Sequence, residues 1–232
     1  MKTRLIFIRH AQAEGNLSRE FHGWTDSGLT ELGHTQAQMV AERLNEMPMD
    51  ILYSSSLKRT LQTAEYISKV KSLPIIRTDK LKEINGGDWE GVLFNELPTL
   101  WPEEYETWEN NPQSHRMPNG ESMEEFQKRL IDEVEYIIKN NTDKTIGIVT
   151  HGTAIKALMC YFKGFGLCEM INIPWCDNTA VTILDYEEDK YTLVLEGDAS
   201  HLGKEYSTLQ NQEWWEDYLL KQEQRKEKNK EL

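Results

Sequence analysis

Two histidines stand in the same local setting. His10 follows Leu5-Ile6-Phe7-Ile8-Arg9, and His151 follows Ile146-Gly147-Ile148-Val149-Thr150. Each run is short, apolar and β-rich, the pattern of a strand buried in a sheet. Each histidine therefore sits just past a strand's carboxyl end, and each precedes a small residue, Ala11 or Gly152. In open α/β sheets that end is where ligands bind, close to helix N-termini. An imidazole, with its usual pKa of about 6.5, is available in neutral form near neutrality as nucleophile, base or hydrogen-bond partner. A lone loop histidine is usually structural or solvated. Two at matched strand ends, 141 residues apart, leave catalysis and a structural role both open.

The elements that must carry this pair can be read along the chain. Residues 9–27 are polar and include Gly15, Asn16 and Gly23, which predicts a loop. Thr30 is placed to cap a helix running to about Met47, with Leu32, Met39, Val40 and Leu44 on one face and Pro48 as its stop. Ile51-Leu52-Tyr53 predicts a second strand. It leads through residues 54–56 into a helix carrying Leu57, Leu61, Ala64 and Ile67, and Pro74 to Arg77 predicts a brief third strand. From Leu93 to about Pro118 the composition turns aromatic, acidic and proline-rich, as short helices and loops over a core would be. Trp101, Tyr105 and Trp108 read as the small core of such a cap ahead of a border for an organic leaving group. Ser122 and Glu125 form a capping box for a helix to about Asn140, with Phe126, Leu130, Val134 and Ile137 at helical spacing. Thr145 to Thr150 predicts a central strand and Thr153 to Phe162 the next helix. Thr179 to Tyr186 and Tyr191 to Glu196 predict two strands joined by an acidic turn. Alternating strands and helices predict a three-layer α/β sandwich, a mostly parallel central sheet with helices on both faces and a small helical cap. One domain is expected over residues 1–212, with the cap inserted at about 92–120. Residues 213–232, with six acidic and five basic side chains, read as a charged terminal helix that frays.

Composition narrows the function. The 232 residues carry 39 acidic and 26 basic side chains, a net charge of −13. That balance disfavours a nucleic-acid or anionic-membrane surface, so neither is expected as a partner. An acidic protein that binds phosphate must concentrate its positive groups in one pocket, which makes arginines near the histidines matter more than the total. Cys160, Cys168 and Cys176 are spaced by eight, match no usual zinc pattern and are odd in number. They read as reduced cysteines in a cytoplasmic protein. The N-terminal apolar run is too short for a signal peptide, and no run reaches the 18 apolar residues of a membrane span. No metal-ligand cluster is evident.

The run Arg9-His10-Ala11-Gln12-Ala13-Glu14-Gly15-Asn16 resembles the signature of the histidine phosphatase superfamily, also called the phosphoglycerate mutase-like family. Trp24-Thr25-Asp26 with Leu29-Thr30-Glu31-Leu32-Gly33 and Gln36-Ala37 is similar to that family's next segment. Ser54-Ser55-Ser56-Leu57-Lys58-Arg59-Thr60 with Gln62-Thr63-Ala64 resembles its third, and Leu81 to Gly91 its acid loop. Gly120-Glu121-Ser122 resembles the cap-to-helix junction, and Val149-Thr150-His151-Gly152 the second histidine motif. The likeness covers roughly residues 3 to 203 in family order.

The resemblance implies a role for each matching residue. His10 would be the nucleophile that accepts the phosphoryl group, and Glu83 the proton donor to the leaving alcohol and later the acceptor from water. His151 would bind and stabilise the transferring group. Arg9, Arg59 and Asn16 would hold phosphate oxygens. The types suit the chemistry. Arginine offers a rigid, permanently charged fork of donors, and phosphoryl transfer is mostly positioning plus fixed positive charge. No metal and no cofactor is implied. Glu90 stands in the same loop as Glu83, so the acid assignment rests on motif position. His22, His34, His115 and His201 lack the strand-end context and read as structural or surface residues, His22 and His115 being the two that could line an entrance. Two positions depart from the common form. Ala11 replaces a glycine beside the phosphate, and Ala13 replaces a serine or threonine, removing a hydroxyl but no charged group.

Within the family, mutases resembling this chain carry a long insertion between acid loop and second histidine. Here Glu83 and His151 are only 68 residues apart. The expected function is therefore a phosphomonoesterase acting on small phosphorylated metabolites through a phosphohistidine on His10. A phosphoglycerate mutase is the alternative, and a non-catalytic phosphate-ligand binding domain a more distant one. A homo-oligomer is left open.

Overall fold

The computed structural model describes residues 2–228. Six strands form one sheet: β1 (Thr3–Arg9), β2 (Ile51–Ser55), β3 (Ile75–Thr78), β4 (Thr145–Thr150), β5 (Val181–Glu187) and β6 (Lys190–Asp198). Their order across the sheet is β3-β2-β4-β1-β5-β6. β1, β2, β3 and β4 run parallel, β5 lies antiparallel to β1, and β6 antiparallel to β5. The helices are α1 (Glu14–Ser18), α2 (Glu31–Leu44), α3 (Lys58–Lys71), α4 (Leu97–Leu100), α5 (Pro102–Asn110), α6 (Met123–Asn140), α7 (Gly152–Phe162) and α8 (Trp215–Lys228).

The strands alternate their side chains between two apolar layers, as a period of two requires. Ile6, Ile8 and Val149 pack against Val40 and Leu44 of α2 and Ala64 and Ile67 of α3. Leu5, Phe7, Ile146 and Ile148 pack on the other face with Phe126, Leu130 and Val134 of α6 and Ala154 and Leu158 of α7. Each such side chain contributes about 1.5–3 kcal/mol by leaving water. Their number, rather than any one contact, holds the sheet rigid beneath the loops. Thr30 caps α2, its hydroxyl accepting from Gly33 N at 3.0 Å, and Ser122 with Glu125 forms the expected capping box on α6.

The register of β1 on β4 places the two histidines together. Arg9 pairs with Thr150, so His10 and His151 emerge side by side from adjacent strand ends. β1 connects through α2 to β2, on the far side of β4. β4 connects through α7 to β5, on the far side of β1. The chain thus leaves these two strands in opposite directions, which opens the crevice that α/β sheets use for ligands.

The structure differs from expectation in two places. Residues 9–27 are not all loop, because α1 forms where Asn16 Oδ1 accepts from Ala13 N at 3.0 Å and caps the turn. The terminal helix is present, but its first half docks instead of lying free. Trp175 N donates to the Tyr218 hydroxyl at 3.0 Å, and buried Gln222 donates to Ile171 O at 3.3 Å. Residues 229–232 of the expected tail lie outside the described residues. Among the described residues no helix is long and apolar enough to cross a membrane.

Candidate active site

His10 is held on every side. Its backbone N donates to Thr150 O at 2.9 Å, and its carbonyl accepts from Asn178 Nδ2 at 2.8 Å. Its Nδ1 lies 2.7 Å from Ala11 O. A carbonyl can only accept, so Nδ1 carries the proton and Nε2 bears the lone pair. Ala11 is locked in turn, its N donating to Thr63 Oγ1 at 3.0 Å. The His151 ring stands 5.3 Å from the His10 ring, centroid to centroid. His151 Nε2 pairs with Ser55 Oγ at 2.8 Å, and its buried Nδ1 has no protein partner.

Both guanidiniums are buried and oriented by backbone carbonyls. Arg9 Nη1 donates to Cys176 O at 2.6 Å. Arg59 Nη1 donates to Thr25 O at 2.9 Å, and its Nη2 to His22 O at 3.0 Å and Gly23 O at 2.7 Å. The Nε of each is buried without a partner. Burial lowers Arg59 to about 10, still cationic at neutrality, while Glu83, Glu90 and Asp26 favour its charge.

Glu83 is buried at the N-terminus of α7. Its carboxyl accepts from Ile84 N at 3.0 Å and from Thr153 N at 3.0 Å. Burial raises its pKa, and the two N–H groups and Arg59 only partly offset that. Burial, followed by the charges of Arg59 and Arg9, pushes His10 well below the usual imidazole value. Burial and Arg59 do the same to His151. Both rings are therefore neutral at pH 7. The desolvated carboxyl beside them is biased toward holding a proton.

His10, His151, Arg9, Arg59 and Glu83 are thus brought together beyond the carboxyl ends of β1 and β4. Asn16 spends its side-chain oxygen on the start of α1, so its amide N–H groups are what it can offer a ligand. His22 joins the site, its ring 6.2 Å from that of His10, with its pKa lowered to about 3 by burial. Gly15 makes this approach feasible, because a Cβ there would lie 2.5 Å from the His22 ring. His115 does not line the entrance. It is buried in the cap, 5.4 Å from both Trp89 and Trp108 ring to ring, and Thr107 Oγ1 lies 2.9 Å from its Nδ1. Trp101, Tyr105 and Trp108 all pack on Trp89, as the core of a cap.

Four contributors escaped the sequence reading. Ser55 could have been found, since it ends β2 beside His151 and shares the strand-end position. Nothing in the sequence ties Cys176 and Asn178 to His10, because they arrive on the loop before β5. Arg129 of α6 donates to Lys80 O, Lys82 O and Glu83 O at 2.9–3.2 Å and to both Glu121 oxygens, clamping the backbone that presents Glu83.

Two buried guanidiniums whose charges act on a neutral imidazole, with a desolvated carboxyl nearby, are groups that phosphoryl transfer through a histidine can use. The chain matches the histidine phosphatase superfamily (branch 1) over residues 5–199. Phosphoserine phosphatase 1 of Hydrogenobacter thermophilus is 32% identical over 203 residues, covering 88% of this chain and 96% of that protein. The 2,3-bisphosphoglycerate-dependent phosphoglycerate mutase of Bartonella tribocorum is 34% identical over 179 residues, covering 74% and 87%. Among solved structures, Bacillus stearothermophilus YhfR aligns with a TM-score of 0.83 at 32% identity, covering 86% of this chain and 99% of that one. The chain belongs to the histidine phosphatase superfamily, and its enzyme class is the phosphoric monoester hydrolases.

Proposed function

We propose that His10 Nε2 attacks the phosphorus of a small phosphorylated metabolite, forms a phosphohistidine and releases an alcohol, and that water then releases inorganic phosphate. The observation that carries this reading is that Arg9 Nε, Arg59 Nε and His151 Nδ1 are buried without a protein partner, on two guanidiniums whose charges act on His10 and on the ring that stands next to it. Orphaned buried polar atoms are costly, about 1–3 kcal/mol each, and three of them together fit an anion that supplies oxygens. Asn16 adds its amide N–H groups. Glu83 gives its proton to the departing alkoxide, and the carboxylate left behind draws a proton from the attacking water.

The domain plan follows: a catalytic domain of residues 1–212 with its cap at about 92–120, and the tail 213–232. The place of action is the cytoplasm, in keeping with three free thiols at Cys160, Cys168 and Cys176.

The mutase reading keeps one specific support, the likeness to phosphoglycerate mutases. The test is to supply 3-phosphoglycerate with a trace of 2,3-bisphosphoglycerate, and O-phosphoserine and other phosphomonoesters in parallel. Inorganic phosphate should appear no more slowly than 2-phosphoglycerate. Rapid isomerisation with almost no phosphate release would replace the phosphatase by a mutase.

A further inference from the structure

The acid loop holds three carboxylates, Glu83, Asp88 and Glu90, and Glu90 has no part in the chemistry above. Glu90 Oε1 accepts from Trp24 N at 2.6 Å and Gly86 N at 2.9 Å. Its Oε2 accepts from Thr25 N at 2.9 Å and Thr25 Oγ1 at 2.5 Å. Four donors fill the acceptor sites of a carboxylate. Glu90 is therefore occupied as an anchor, and three of its four bonds go to the segment of residues 22–25.

The carbonyls of that segment hold Arg59. His22 O and Gly23 O take its Nη2, and Thr25 O takes its Nη1. One peptide group, between Gly23 and Trp24, bridges the two charges directly, its N–H on Glu90 and its C=O on Arg59. Each bond polarises the next in such a chain. The contact leaves no room for a side chain, since a Cβ on Gly23 would lie 2.0 Å from Ile84 O and 2.6 Å from Glu90 Oε1.

We infer that Glu90 positions Arg59 for phosphate, acting through the backbone of residues 22–25. The inference rests on the phosphatase reading of the site and adds a residue to it. Glu90 is a positioning residue and not a catalytic one. Its removal loosens the segment, frees the terminal nitrogens of Arg59 and lets the guanidinium turn from the orientation that those carbonyls fix.

The test uses the full chain and inorganic phosphate as the probe, with binding read by calorimetry. Glu90→Gln keeps the shape but turns an N–H₂ toward two or more donors. Phosphate affinity should fall about 10- to 100-fold, the scale of hydrogen bonds to charged groups. Thr25→Val removes only one of the four bonds and should weaken phosphate about two- to fivefold. It also carries the test if Glu90→Gln does not fold. In a double-mutant cycle, Glu90→Gln added to Arg59→Lys should cost little more than Arg59→Lys alone, because both act on one group. The rate penalty of Glu90→Gln should be the same for alkyl phosphates and p-nitrophenyl phosphate. Phosphate affinity within twofold of wild type in both variants, or full additivity with Arg59→Lys, would overturn the inference. A penalty that grows with the basicity of the leaving alcohol would make Glu90 the proton donor, and would equally overturn it. Failure of the wild-type protein to release phosphate from any ester would sink the phosphatase reading alone, because the calorimetric arms need no turnover.

Discussion

Lowering the pH should unfold this protein by charging its site. His10, His22 and His151 all have native pKa values below the ordinary 6.5, with burial as the largest cause. A histidine lowered in the native state binds fewer protons there than in the unfolded chain. Stability therefore rises with pH through that window and is lost as pH falls below 6.5. For an imidazole of unfolded pKa near 6.5 that stays neutral when folded, moving from pH 7.5 to 5.0 favours the unfolded chain by about 2 kcal/mol. Three such rings give about 6 kcal/mol, against the roughly 5–15 kcal/mol that holds a domain together. His115 and His201, both lowered to about 4, act in the same direction. Glu83 opposes them. Its raised pKa makes the native state take up a proton first, so its contribution improves as pH falls. Urea melts across pH 5.0–7.5 would report the slope, expected to reach about four protons taken up on unfolding near pH 5.5 once Glu83 is set against the five lowered histidines. Inorganic phosphate should flatten that slope, because an anion between Arg9, Arg59 and His151 lets the imidazoles charge without leaving the fold. Uptake of less than one proton, or a slope indifferent to phosphate, would show that these rings are not held neutral together and would remove the basis for His10 as a free nucleophile.

Other outcomes are open to measurement. Glu83→Gln should slow single-turnover phosphorylation of the enzyme by an alkyl phosphate about 10²- to 10⁴-fold, while p-nitrophenyl phosphate, whose leaving group needs no proton, should be far less affected. Equal slowing with both esters would argue against Glu83 as the acid. Gln36 is fully buried, accepting from Gln12 N at 2.8 Å and donating to Tyr206 O at 2.7 Å and Thr208 Oγ1 at 3.0 Å. Gln36→Leu strands those groups and should cost about 3 kcal/mol, seen by calorimetry as a Tm lower by roughly 6–12 °C. Two guanidiniums supply the fixed charge of the site, so turnover in EDTA should match turnover without it. Activity abolished by the chelator and restored by a divalent ion would mean the site has been misread.

The two candidate-site histidines were legible because they sit where secondary structure ends. Apolar strands at Leu5–Ile8 and Ile146–Val149 announced His10 and His151, and the parallel register of β1 on β4 brings both to one crevice. Helix caps at Thr30 and Ser122 were legible for the same local reason. Features made by distant backbone were not. Cys176 O and Asn178 reach the His10 loop through tertiary contact alone, and no periodicity encodes that. α1 was missed because Gly15 and Asn16 read as loop residues, whereas Asn16 caps the turn and Gly15 makes room for His22. The two acid-loop glutamates looked alike in sequence. Only their partners separate them, two backbone N–H groups in a buried pocket for Glu83 and four donors for Glu90.

The covalent step itself can be caught. The purified protein would be mixed briefly with O-phosphoserine or p-nitrophenyl phosphate, quenched in base to preserve the acid-labile N–P bond, digested and analysed by mass spectrometry. Phosphate should be found on His10 in the wild type and be absent in His10→Ala, a variant that retains Arg9, Arg59 and His151 for binding. Phosphate on a serine or aspartate, or turnover persisting in His10→Ala, would contradict attack by His10.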